Sequence, residues 1–316
     1  MSSSVSNTIS YLARGAGLNY LNIFLIVLSF ALAYVIPFEL LLIAYAALGP
    51  AHYLTEISWL HDRGYFLKNT FLIVAFVIVC FLAAVGTLLG DEPAILVCFV
   101  AALAFSLPIK IWGRTVLSFL MAMAALFLYQ RGVGIWFLIL LPTVLHVFIF
   151  TLFFMLQGAV ATKSFSASLA AGLFVICACA FFILPPTASE TLSRLATMHG
   201  YYFDGVRTTL LGVLGLPVTW SSWVAVSGFL SFTYLYHYLN WFSKTSIIGW
   251  HTTSKERLLG VIIGSVASVA LYLYDYQIGF VVLLLLSILH ALLEFPLDIK
   301  VAAGLGKSAF KAISFR

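Results

Sequence analysis

The stretch "HYLTEISWLHDR", residues 52–63, closes the apolar run 39–60 and carries His52, Glu56, His61 and Asp62. A helix needs about twenty mostly apolar residues to cross the hydrocarbon core of a bilayer, and the run has that length. Ionisable side chains inside such a segment are costly and face the interior of a helix bundle or one another. A histidine and a carboxylate four residues apart also lie on one helix face, about one turn from each other. The stretch therefore reads as a membrane helix that brings a polar site inside.

The whole chain has the same character. Its 316 residues are 63% hydrophobic and 9% charged, and the mean hydropathy is +1.10. A soluble domain has roughly 25% charged residues. Composition thus points to an all-α, polytopic integral membrane protein, with residues 1–316 forming a single transmembrane helical domain. Length and hydropathy place about ten spans, near 18–38, 39–60, 69–90, 92–109, 115–130, 133–157, 165–186, 221–243, 257–275 and 277–298. "GDEP", "QRGVG" and "LPPTASE" supply turn residues between them. Residues 187–220 form one long outer loop, expected to hold an interfacial helix. The polar start "MSSSVSNTISYLARGAGLNY" lacks the apolar core and cleavage site of a signal peptide, so the first apolar segment is expected to be kept.

Charge orients this arrangement. Of the 16 Lys and Arg residues, only Arg131, Arg194 and Arg207 fall on outer segments when both termini are cytoplasmic. That asymmetry is the positive-inside pattern and supports an N-in, C-in topology. It also accounts for the net charge of +5 without a nucleic-acid partner. The four cysteines lie in apolar runs and read as small hydrophobes rather than disulfides.

Of seven histidines, four lie inside apolar spans: His52, His146, His237 and His290. Their spans all run from outside to inside, and at 1.5 Å per residue the four fall in an inner-leaflet slab about 10 Å thick. "HYLTE" pairs His52 with Glu56, and "HALLE" pairs His290 with Glu294. "YHYLNW" puts Asn240 three residues after His237. His146, in "LPTVLHVFIFT", has only Thr143 and Thr151 nearby. A lone membrane histidine is accounted for by a helix-to-helix hydrogen bond. Four at one depth, two with a carboxylate a turn away, are best explained by a shared metal ion. Imidazole ligation suits iron, zinc or copper. Glu56, Glu294 and Asn240 are expected behind the ligands, where a carboxylate that accepts the second ring N–H fixes the tautomer. Open positions on such a site suit Fe2+ and dioxygen.

A four-histidine iron backed by glutamates resembles the centre of carotenoid-cleaving dioxygenases. Hydropathy, intramembrane histidines and the Gly-x-x-His of "GPAH" (Gly49 to His52) resemble the polytopic Brp/Blh-type membrane β-carotene 15,15'-dioxygenases of bacteria and archaea. In this chain Tyr53 follows the histidine where that family carries glycine. The resemblance implies a cytoplasmic (inner) membrane enzyme that cleaves a lipid-soluble isoprenoid such as β-carotene to retinal with dioxygen. Aromatic residues beside the histidines, Tyr53, Tyr234, Tyr236, Tyr238 and Trp241, are candidates to line the substrate path, although aromatics near span ends also serve as interface anchors. Two other readings fit the same residues. One is a di-metal lipid hydroxylase or desaturase in which Glu56 and Glu294 are themselves ligands. The other is a proton-coupled transporter that uses the His/Glu pairs as a relay. The oligomeric state is not legible in the sequence.

Overall fold

A computed structural model describes residues 2–63, 109–132, 140–187, 193–244 and 253–314, with a few isolated positions between 74 and 107. The expected spans 69–90 and 92–109 lie almost wholly outside the described residues, as does the start of 133–157. The described chain is 89% helix and has no strand. In a segment surrounded by lipid every backbone N–H and C=O has to be satisfied internally, and a helix does this within itself.

The long helices are α1 (Ser2–Val35), α2 (Glu39–Arg63), α3 (Ile111–Gln130), α4 (Thr151–Thr162) and α5 (Phe165–Ile183). The π-helical segment Leu141–Phe150 runs directly into α4. After α5 the connection contains α6 (Arg194–His199), a 3₁₀ turn at Gly200–Phe203 and α7 (Asp204–Val213). Then follow α8 (Trp220–Ser243), α9 (Lys255–Tyr274) and α10 (Tyr276–Ser314). Ser164, Ser193, Thr219 and Ser254 cap the starts of α5, α6, α8 and α9 by accepting a backbone N–H from the first turn, which satisfies donors a helix start leaves open. Seven of the described helical segments are long and apolar enough to cross a membrane. The outward residues of α3 (Trp112, Phe119, Leu120, Phe127) and of α9 (Leu259, Ile262, Ile263, Val266) are large, apolar and exposed, as expected of faces that meet lipid tails.

The chain forms two compact units. The first comprises Met1–Ala44, Val147–His251 and Val301–Arg316. Its centre is α8, in which every residue from Val224 to Tyr238 is buried. A helix covered on all sides has protein on all sides, and here α1 and α5 cover it. Rings of Phe30 and Phe181 stand 5.0 Å apart, those of Phe174 and Phe232 5.4 Å, and those of Phe174 and Tyr236 4.9 Å. The Ser231 hydroxyl donates to the Pro37 carbonyl at 2.6 Å, which fixes α8 against the turn between α1 and α2. In the connection before α8, Arg207 donates to the Asp204 carboxylate at 2.7 Å and to the Gly200 carbonyl at 3.1 Å. Its guanidinium also lies over the rings of Phe38 and Trp223. Burial lowers its pKa and Asp204 opposes that shift.

The second unit comprises Tyr45–His146 and Thr252–Lys300. Leu96, Ala125, Ile288, Ala291 and Leu292 form a buried apolar cluster in it, and an ion pair joins Arg257 to Asp62. The α9–α10 corner is tight. Asp275 Oδ1 accepts the Ile278 N–H at 2.9 Å, and a Cβ on Gly279 would lie 2.8 Å from the backbone of Tyr272. Gly260 in α9 has open space at the same position. Gly279→Ala therefore has to push backbone apart, and overpacking of that kind costs about 1–3 kcal/mol. Thermal unfolding in detergent is expected to show a clear loss for Gly279→Ala and none for Gly260→Ala.

Candidate metal centre

His52 lies in the middle of α2, two residues after Pro50. A proline inside a helix removes one backbone hydrogen bond and loosens the turn before it. The Thr55 hydroxyl donates to the Ala51 and His52 carbonyls at 2.7 and 3.0 Å. One turn on, the Glu56 carboxylate meets His52 Nε2 at 3.1 Å, with both side chains 1% exposed. The HYLTE motif thus folds into the histidine–carboxylate pair its spacing predicts. The contact turns Nε2 of the His52 ring towards the carboxylate.

The HALLE motif behaves differently. His290 Nδ1 stands 3.3 Å from the carbonyl of Leu286, one turn back in α10. A carbonyl only accepts, so this contact assigns the proton to Nδ1 and leaves the Nε2 lone pair for a ligand. Glu294, the carboxylate of the motif, reaches His146: its Oε2 lies 3.5 Å from His146 Nδ1. His146, which has no acidic neighbour in the local sequence, gains its partners from α10.

His146 sits in the π-helical segment Leu141–Phe150. A π turn is rare, re-aims the side chains it carries and occurs often at functional sites. With Nδ1 towards the carboxylates, His146 Nε2 faces His290 Nε2 at 3.0 Å. Were neither ring to carry its proton on Nε2, two lone pairs would face each other at that distance. Such a pair repels unless a proton or a metal cation lies between the nitrogens. The His290 ring also meets the His52 ring nearly edge-on, with centroids 5.3 Å apart, and stacks on Tyr53 at 4.1 Å.

His237, the fourth expected ligand, lies buried in α8 of the first unit. Its Nδ1 lies 2.8 Å from the Thr151 hydroxyl, so Nε2 remains to coordinate. In the second unit one ligand atom from each of His52, His146 and His290 lies within 4.8 Å of the other two, and all three residues are buried. Donors about 2.1 Å from one ion stand at most about 4.2 Å apart. His52, His237 and His290 each set one ring nitrogen against a carboxylate, a hydroxyl or a carbonyl, which is the arrangement that orients metal-binding histidines. The donor set fits a transition-metal ion.

The other expected residues are also placed. Asn240 is buried one turn after His237, and its Oδ1 makes no hydrogen bond among the described residues. Tyr238 lies edge-on to His237, with centroids 5.7 Å apart, and Tyr234 lies edge-on to Tyr238. Tyr236 turns to Phe174 and donates to Asn22 Oδ1 at 3.4 Å and Met155 Sδ at 3.5 Å. Trp241 is half-buried. Two residues near the histidines were not singled out from sequence. Thr151 was visible only as a polar neighbour of His146. Asp298 continues the spacing of four begun by His290 and Glu294, and its fully buried carboxylate approaches His146 Nδ1 to 3.9 Å. Comparisons with protein-family models, with curated proteins and with solved structures find no match to this chain.

Elemental analysis of purified protein is expected to find one transition-metal ion per chain more than in the His52→Ala, His290→Ala double variant. Glu56→Gln is expected to retain a site with affinity lowered about 10–100-fold, the usual consequence of removing the group that orients a ligand. Full occupancy in the double variant would refute the assignment.

Proposed function

We propose that this protein is an integral membrane oxygenase. Fe2+ held by His52, His146, His237 and His290 would serve dioxygen cleavage of a lipid-soluble isoprenoid such as β-carotene to aldehyde, here retinal. The observation that carries the reading is the convergence of three buried histidines of the second unit, His52, His146 and His290, with His237 proposed as the fourth ligand. Ferrous iron combines imidazole ligation with activation of dioxygen, and that chemistry is what it would supply when bound.

The chain's own residues have defined parts in this reading. Glu56 lies against Nε2 of His52 and the Leu286 carbonyl against Nδ1 of His290, contacts that would keep the two rings correctly turned. Tyr53 and Tyr238, the rings nearest to His290 and His237 in the geometry above, are suited to flank an extended polyene. The surrounding apolar helices exclude water and admit a substrate dissolved in lipid. The overall reaction balances without further electrons: one carbon–carbon double bond and one O2 give two carbonyl groups. That suits a chain in which no glycine-rich turn for a nucleotide cofactor is legible. The ten-span, N-in and C-in topology, with the site in the inner leaflet of a bacterial or archaeal cytoplasmic membrane, belongs to the same proposal. A di-metal lipid hydroxylase is the second reading, favoured by the carboxylates beside His146.

Expression in cells that accumulate β-carotene is expected to bleach their colour and yield retinal, and the His52→Ala, His290→Ala variant is expected to leave the pigment intact. Unchanged pigment with iron-loaded protein would exclude β-carotene as substrate. Equal bleaching by the double variant would exclude the histidine centre as the cause.

A further inference from the structure

His146 presents a different nitrogen to each of two groups. Nε2 faces His290, while Nδ1 faces Glu294 and Asp298. One ligand atom from each of His146, Glu294 and Asp298 lies within 4.8 Å of the other two, and all three residues are buried. We propose that these three side chains form a second divalent-cation site, joined to the first through the His146 imidazole. The proposal rests on the preceding reading only in that His146 is shared; the second site needs no particular chemistry at the first.

Asp298 is the observation that points to an ion. It is 0% exposed, and neither carboxylate oxygen makes a hydrogen bond among the described residues. A buried charge is retained where it is paired or coordinates a metal. The distances agree. Glu294 Oε2 at 3.5 Å and Asp298 Oδ2 at 3.9 Å from His146 Nδ1 exceed the 2.7–3.2 Å of a good N–H···O hydrogen bond. They match the spacing of neighbouring donors around one ion, about 3.0–3.4 Å for ligand bonds of about 2.1 Å, after a small closure. The placement follows from the sequence. Residues 290, 294 and 298 recur every four positions on α10, so one ridge of the helix carries a donor for the first group and two for the second.

The donor set selects the ion. Two carboxylates and an imidazole suit Mn2+, Fe2+ or Zn2+ and disfavour a soft ion such as Cu+. The second ion would take the place of the proton on His146 Nδ1, making that ring a bridge between two cations.

Full-length protein in detergent is loaded with excess Mn2+, freed of unbound ion, and its metal counted per chain. The expected result is one ion fewer in Asp298→Asn and in Glu294→Gln than in the wild type, with wild-type thermal unfolding of the apoproteins. His237→Ala, which touches only the first group, is expected to keep the ion that Asp298→Asn loses. A wild-type metal count in both folded carboxylate variants would overturn the second site. So would a wild type that binds a single ion which His237→Ala removes, a result that needs neither carboxylate variant to fold. A single ion kept by His237→Ala and lost by Asp298→Asn would instead remove the four-histidine centre and leave the second site standing.

Discussion

A carboxylate held away from water has to be compensated, and in a chain with 9% charged residues few groups are available to do it. Glu56, Glu294 and Asp298 are all buried, and each lies against a histidine. Imidazole is the one side chain that can answer a carboxylate with one nitrogen and a cation with the other. Much of the local architecture around the histidines follows from that double duty: the proline-loosened α2 beneath His52, the π segment under His146, and the ridge of donors along α10. If only hydrogen bonds had to be made, four hydroxyls would serve at lower cost. Carboxylates turned inward towards histidines are the arrangement expected where positive charge is to be held.

The parts of this arrangement legible in the sequence are those in which partners share a helix. Hydropathy over 39–60 is enough to expect α2, and the spacing of His52 and Glu56 is enough to expect their contact, because a spacing of four brings side chains together in a regular helix. At His290 and Glu294 partners from beyond the motif enter as well. There the carboxylate reaches another helix, and the histidine uses a carbonyl of its own. Spacing identifies a face, and tertiary packing decides what meets it. His146 had no local partner to announce it, since its carboxylates lie about 150 positions further along the chain. Nor does anything in "LPTVLHVFIFT" distinguish a π from an α turn, beyond a proline that membrane helices often carry.

The aromatic residues make the same point at smaller scale. In "YLYHYLNW" the tyrosines alternate, and a helix turns about 100° per residue, so they cannot all face one cavity. Tyr238 reaches the His237 ring, while Tyr236 packs into the phenylalanine cluster of α1, α5 and α8. Only the structure separates the two, because each is equally aromatic and equally close to the histidine in sequence.

The full burial of α8 has a consequence for how the protein is made. The helix is dotted with serine, threonine and tyrosine and is not among the segments apolar enough to cross a membrane by composition. Alone in lipid it would partition poorly. The groups that satisfy it, the Pro37 carbonyl for Ser231 and Asn22 and Met155 for Tyr236, come from chain synthesised earlier. α8 is therefore suited to enter a nest that α1, α4 and α5 have already built, and the histidine it carries arrives only once its escorts are in place. Insertion order thereby becomes a checkpoint: a chain that fails to gather its early helices leaves this one stranded at the membrane surface.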